Sequence, residues 1–188
     1  MRLRAARATG LLAAFDGAGV LTPADVHVAR RLGVLVGETD DRVLLAVALT
    51  VRGTRHGSVV CNLADAAETI TPDPETVDET VAVVDLPWPE TAAWIEACAI
   101  SPVVLGPAGG PPVQMVGSRL WLDRYWRQEV QVADNLLRRS LDRPSDIDPE
   151  LLRADLDSLF AGDSAADQRL AVATSALSRV SVIAGGPG

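Results

Sequence analysis

Lysine is absent from this 188-residue chain, so the 17 basic side chains other than its two histidines are all arginine. That skew, beside abundant alanine, valine and aspartate, points to a GC-rich gene and carries no function. Acidic residues outnumber the arginines, and the formal charge is −8. A free-standing nucleic-acid binder shows a basic face, so the balance argues for an acidic chain that meets a protein partner. Cysteine is scarce as well. Cys61 and Cys98 are far apart and form no C-x-x-C pair, which excludes the usual zinc and redox signatures and leaves two buried thiols as the simple reading. His27 and His56 are isolated, so no Ser/His/Asp or Cys/His arrangement is present, and neither a catalytic residue nor a metal ligand is assigned. No apolar run is long enough to span a bilayer. Arg2, Arg4 and Arg7 precede Leu11 to Phe15, but Gly10 and Ala13-Ala14 interrupt any signal-peptide core, so the reading is a cytoplasmic protein without a membrane partner.

What is present is mostly helical pattern. A first helix is expected over Leu3 to Phe15, ended by Asp16-Gly17-Ala18-Gly19. Thr22 as N-cap, Pro23 at the first helical position and Asp25 in the first turn predict a second helix from Pro23 to Val36, with Val26, Ala29, Leu32 and Val36 facing a core. Asp40-Asp41 then leads into Val43 to Leu49, where periodicity alone leaves helix and strand open; the alanines and the acidic start favour helix. Ser58 to Leu63 suggests a short extended piece before Ala64 to Glu68, and Thr69 to Thr80 a surface loop. Pro89 opens a helix to about Ala99. Trp88 and Trp94 are core anchors or partner anchors, with core the better reading of each.

Gly106 to Pro112 is a flexible connection, since its prolines lack the N–H groups that a phosphate loop would need. Val113 to Val116, Gly117-Ser118 and Arg119 to Leu122 predict a β-hairpin, with Trp121 opposite a β-branched or aliphatic neighbour. The longest helix covers Asp123 to Ser140, with an apolar stripe of Trp126, Val130, Ala133 and Leu137. Trp121, Tyr125 and Trp126 could stack on bases, but packing between hairpin and helix is the preferred reading. Arg119, Arg124, Arg127, Arg138, Arg139 and Arg143 alternate with Asp123, Glu129, Asp134 and Asp142, which describes a solvated mixed-charge face. Asp148 and Pro149 start a further helix through Phe160, and Gly162-Asp163-Ser164 reads as a hinge.

Beyond the hinge, Ser164 caps a helix from Ala165 to Ser178 that carries Gln168. The nearly all-apolar Val180, Val182, Ile183 and Ala184 then suggest a buried parallel strand. Gly185-Gly186-Pro187-Gly188 fits the first half of a phosphate-binding loop, whose backbone N–H groups close around phosphate; its lysine and Ser/Thr are missing. Alone, those four residues fit a Gly/Pro tail equally well, and Gln168 alone fits a solvent-facing glutamine.

Together, Asp167-Gln168-Arg169-Leu170-Ala171, the strand and the Gly-rich turn resemble the start of a superfamily 1 helicase motor. With Leu21 to His27, Gly117 to Trp126 and Leu156 to Phe160 in the same order, the chain resembles the RecD family, the alpha chain of exodeoxyribonuclease V. The resemblance implies a mostly α N-terminal docking domain with a small β-hairpin over residues 1–162. The first helix and strand of an α/β P-loop ATPase domain would follow over 163–188. It implies nucleotide contacts from Gln168, Gly185, Gly186, Pro187 and Gly188, with ATP and Mg2+ as cofactors of a longer protein. It further implies RecC-like and RecB-like partners and 5′–3′ unwinding of DNA at double-strand breaks. The family's complete phosphate loop, magnesium-binding acidic motif and arginine finger are not in this sequence, so residues 1–188 alone are expected to be inactive. A stand-alone RecD-like helicase ranks second, because no helix-hairpin-helix repeats are found. A non-enzymatic acidic interaction module is the reading from another class.

Overall fold

A computed structural model describes residues 8–72, 83–106, 110–160 and 166–185. They gather into two units, Met1–Arg127 and Gln128–Gly188.

The first unit is built around one buried helix. α1 spans Gly10–Gly17, α2 Pro23–Val36 and α3 Asp41–Arg55. In α3 every residue from Leu45 to Thr50 is buried, because α1, α2, α5 (Thr91–Ala99) and two strands surround it. A helix buried on all sides has no polar face, which is why its sequence showed no clear period. The predicted start of α2 is present in detail. Asp25 accepts from the Thr22 backbone N–H at 2.8 Å while the Thr22 side chain caps the Asp25 N–H, and Gly37 ends the helix at φ 78°. Asp40 caps α3 by accepting from the Arg42 N–H at 2.8 Å.

The expected hairpin forms from β2 (Val113–Val116) and β3 (Arg119–Leu122), turning at Gly117 with φ 59°. A third strand joins it. β1, Val60–Asn62, pairs antiparallel with β3, giving the order β1-β3-β2 with Cys61 opposite Leu120. Across the hairpin Trp121 faces Gln114, not the β-branched or aliphatic neighbour expected there; its β-branched neighbour, Val60, comes from the third strand, which the sequence did not pair with it. α4 (Ala66–Thr69), a 3₁₀ turn (Val83–Asp85) and α6 (Pro102–Leu105) complete this unit. Phe15 and Trp94 lie in its core and the half-buried Trp88 packs against it, the rings of Phe15, Trp88 and Trp94 following one another at centroid distances of 4.6 and 6.1 Å. Trp94 is thus a core residue and Trp88 is half-buried against the core, and both cysteines are free, buried thiols.

α7, Asp123–Leu141, begins in this unit. Its first turn is fixed by Asp123 N–H donating to the Pro112 carbonyl, by Gln114 Nε2 donating to Asp123 Oδ1 at 2.9 Å, and by Trp126 packing edge-on against Trp121. Beyond Arg127 the apolar stripe continues, but Val130, Ala133 and Leu137 are exposed. In the second unit, α8 (Pro149–Leu159) is capped by Asp148, and α9 covers Ala166–Ala176. An Arg169–Asp157 ion pair ties α9 to α8.

Two further expectations change, and α6 is an element that was not legible. Thr9 is extended and α1 runs from Gly10 through Gly17, taking in Asp16 and Gly17, in place of a helix from Leu3 to Phe15 ended by them. Val180 to Ala184 form no strand. The only strands among the described residues are β1 to β3, and Val182 is 91% exposed. A strand exists only as part of a ladder that satisfies its backbone groups, and this segment pairs with none. Residues 3–7 of the expected first helix, most of the loop from Thr69 to Thr80, the middle of the Gly106 to Pro112 connection, the hinge at Gly162 to Ser164 and the Ser164 cap lie outside the described residues. The observed fold is mostly α with a small three-stranded antiparallel sheet.

Candidate functional site

Gln168 stands in the first turn of α9, exposed, and Gly185 is exposed with open space where a side chain would be. Gly186, Pro187 and Gly188 lie outside the described residues. The segment after α9 is held by an ion pair from Arg179 to Asp142 and by a 3.0 Å hydrogen bond between the Ser175 and Ser181 hydroxyls. Among the described residues no hydrogen bond joins Gln168 to Gly185, and no group of His, Cys, Asp and Glu is arranged to hold a metal ion.

The polar groups of the first unit act mainly on its own fold. Asp25, fully buried, accepts from Arg55 Nε at 3.1 Å and from Arg55 Nη2 at 2.7 Å, besides its Thr22 contacts. Arg52, also buried, donates to the carbonyls of Val20 and Thr71 and so stitches two distant loops to α3. A cleft of about 230 Å³ opens between the end of α3, β1 and α4, lined in part by Leu49, Cys61 and Ile70. Polar groups around it bind one another: Asn62 donates to Asp65 and accepts from Ser118.

The ionisable groups follow the same logic. The Arg42 guanidinium, donating to Asp40, holds that carboxyl below its usual range, and two backbone N–H groups do the same for Glu90 at the start of α5. Gln114, with Arg127, lowers Asp123. Burial pushes both thiols up to about 12, so neither is a nucleophile at neutral pH.

One surface stands apart. Val26, Ala29 and Gly33 of α2 are buried, while Val28, Arg31, Val34 and Leu35 point to water, with Val34 at 74% and Leu35 at 62% exposure. Glu38, just past α2, accepts from the Thr39 and Asp40 N–H groups and from the Ser101 hydroxyl. That contact brings the α5–α6 corner against the end of α2, where Ile100 and Leu105 are also exposed. Sequence reasoning missed this face. Its signal was the run Gly33-Val34-Leu35-Val36, where the helical period used only Val36 for the core and left two large apolar residues without a role.

Comparison with known proteins gives these features a family. Residues 17–121 match the model of the RecBCD enzyme subunit RecD, N-terminal domain. The chain is 42% identical over 187 residues, 98% of its length, to RecBCD enzyme subunit RecD of Mycobacterium tuberculosis (strain CDC 1551 / Oshkosh). It is also 42% identical over 179 residues, 95% of its length, to the subunit of the same name from Mycolicibacterium smegmatis (strain ATCC 700084 / mc(2)155). It spans 29% and 28% of those relatives. From Gly17 to Trp121, over the helices, the sheet and the exposed face of α2, this chain belongs to the RecD family.

Proposed function

We propose that this chain is the N-terminal region of a RecD-type subunit of an ATP-dependent DNA helicase and exonuclease complex, and that it docks to a RecC-like partner beside a RecB-like one. The observation that carries the reading is the 42% identity that runs through 98% of the chain. It continues past the matched N-terminal domain, through α7, α8 and α9.

In this reading the longer protein hydrolyses ATP with Mg2+ and unwinds DNA ends 5′ to 3′. Gln168 reads the adenine edge, because a carboxamide donates and accepts side by side. Gly185 to Gly188 begin the phosphate loop, where the absence of side chains lets backbone N–H groups close on the β- and γ-phosphates. The exposed stretch from Val180 to Ala184 takes up a ladder when the rest of a parallel sheet is beside it. Hydrolysis then depends on positioning and charge stabilisation by groups beyond this sequence.

The test is assembly and turnover of the full-length subunit with its RecB-like and RecC-like partners on blunt duplex DNA. Unwinding that needs ATP, with Gln168→Ala raising the KM for ATP about tenfold, the value of roughly one lost hydrogen-bonded contact, is expected. Residues 1–188 alone should show no hydrolysis above a chain lacking Gly185 to Gly188. An unchanged KM in Q168A would overturn the nucleotide assignment, and turnover by the 188-residue chain would overturn its expected inactivity.

A further inference from the structure

We infer that the outward face of α2, together with the α5–α6 corner, is the surface that receives the protein partner, and that the partner presents an apolar segment bearing a carboxylate. This rests on the docking role proposed above and specifies where docking occurs. Val28, Arg31, Val34 and Leu35 lie on one side of α2, three or four residues apart, and Ile100 and Leu105 are exposed on the α5–α6 corner, which the Ser101–Glu38 hydrogen bond and the packing of α6 on α2 hold at the end of that helix. Isolated exposed apolar residues are ordinary, but a contiguous set on rigid elements marks an interaction site.

Charge narrows the occupant. The chain carries −8 overall, yet the outward positions of α2 from Ala24 to Leu35 hold no carboxylate, and their fixed charge is the guanidinium of Arg31. A complementary surface is therefore apolar with an acidic residue opposite Arg31. Nucleic acid fits poorly, since phosphate binding needs several cations and gains nothing from Val34 or Leu35. The chain's own later residues have another exposed apolar face to cover, the α7 stripe of Val130 and Leu137. The α2 patch lies wholly inside residues 17–121, the stretch matched by the model of a domain from a multi-subunit enzyme.

A single cysteine reports on this surface, because Cys61 and Cys98 are buried and their thiols are pushed up to about 12. Leu35→Cys is introduced into the full-length subunit, and maleimide labelling at that position is followed by peptide mass spectrometry, free and after assembly with the RecB-like and RecC-like subunits. Labelling is expected to be fast in the free subunit and to slow about tenfold or more in the complex, as for a residue at the dry centre of an interface. Arg31→Glu is expected to weaken assembly about tenfold or more with an unchanged circular dichroism spectrum and melting temperature. Equal labelling in free and assembled subunit would overturn the inference. So would slow labelling in the free subunit at every dilution, which identifies the chain's own later domains as the cover. Slow labelling that speeds up on dilution identifies a second copy and overturns it too. Failure of the unmodified subunit to assemble would instead overturn the docking role itself.

Discussion

Replacing Arg55 with alanine strips the cation from a carboxylate that has no access to water. Asp25 is wholly buried, and of the four hydrogen bonds that its carboxylate accepts from the described residues, two come from Thr22 and two from Arg55, at 3.1 and 2.7 Å. The Arg55 side chain is 34% exposed. The two halves of the pair are therefore unequal. Removing the arginine leaves a buried charge with half its partners, a loss of about 3–5 kcal/mol. Removing the carboxylate, Asp25→Ala, leaves an arginine that still reaches water. It costs the α2 capping box and the pair, together about 2–3 kcal/mol. The double variant should cost little more than D25A alone, giving a coupling close to the whole R55A cost, about 3–5 kcal/mol, in a cycle, because the cost of R55A comes from the carboxylate it strands. Urea denaturation of the 188-residue chain followed by far-ultraviolet circular dichroism reads all four stabilities. With a slope of about 2 kcal/mol per molar urea, R55A should move the midpoint of the first unit down by roughly 2 M. A cost below about 1 kcal/mol for R55A, the range of exposed ion pairs, or costs that simply add, would refute the claim that the burial of Asp25 governs the pair.

Three further outcomes follow from the same structure. Trp94→Phe should cost about 1–2 kcal/mol more than Trp121→Phe, since the Trp94 indole donates to the Arg42 carbonyl at 2.7 Å while the buried Trp121 N–H has no partner among the described residues; matched denaturation curves would contradict this. Asp40, Glu90 and Asp123 all have lowered folded-state pKa values, so their contributions are present at neutral pH, begin to fade at about pH 4 and are lost as pH falls through the folded values; a melting temperature that stays flat from pH 6 to about pH 3 would count against it. The two thiols are raised from 9.0 to about 12, so the native chain should react with a thiol reagent at pH 8 only as fast as it unfolds, and should lose stability as pH rises above 9.0; immediate reaction of either thiol under native conditions would refute their burial.

The parts of the fold legible in the sequence were those written in local chemistry. Thr22-Pro23-Ala24-Asp25 states a helix start within four residues, and Asp148-Pro149 does the same for α8. Gly117-Ser118 between apolar runs gives the hairpin, because few residues other than glycine accept the φ of that turn. What was not legible depends on distant partners. Nothing around Val60 says that it will lie beside Trp121, and nothing in Pro102 to Leu105 separates a four-residue helix from a bend. Val180 to Ala184 has the composition of a buried strand, but composition supplies no ladder, and the segment is exposed. At the candidate site, Gln168 and Gly185 could be placed only by resemblance, since neither carries a local conformational signature. The α2 face was hidden for the opposite reason. Amphipathic reasoning asks which apolar residues turn inward and passes over those that do not.

The strand order β1-β3-β2 also dictates a sequence of events during synthesis. β1 leaves the ribosome early, while β3, the strand it pairs with, is made after α4, α5, α6 and β2. At about 5–20 residues per second the stretch from Val60 to Trp121 takes roughly 3–12 s to emerge. During that interval α1, α2 and α3 can pack, because their contacts are close in sequence, while Cys61 waits without Leu120 over it. A nascent chain stalled before Leu122 is thus a helical cluster with one side of its core unroofed. It is the species a chaperone or protease would meet, and it persists until the last strand of the sheet is supplied.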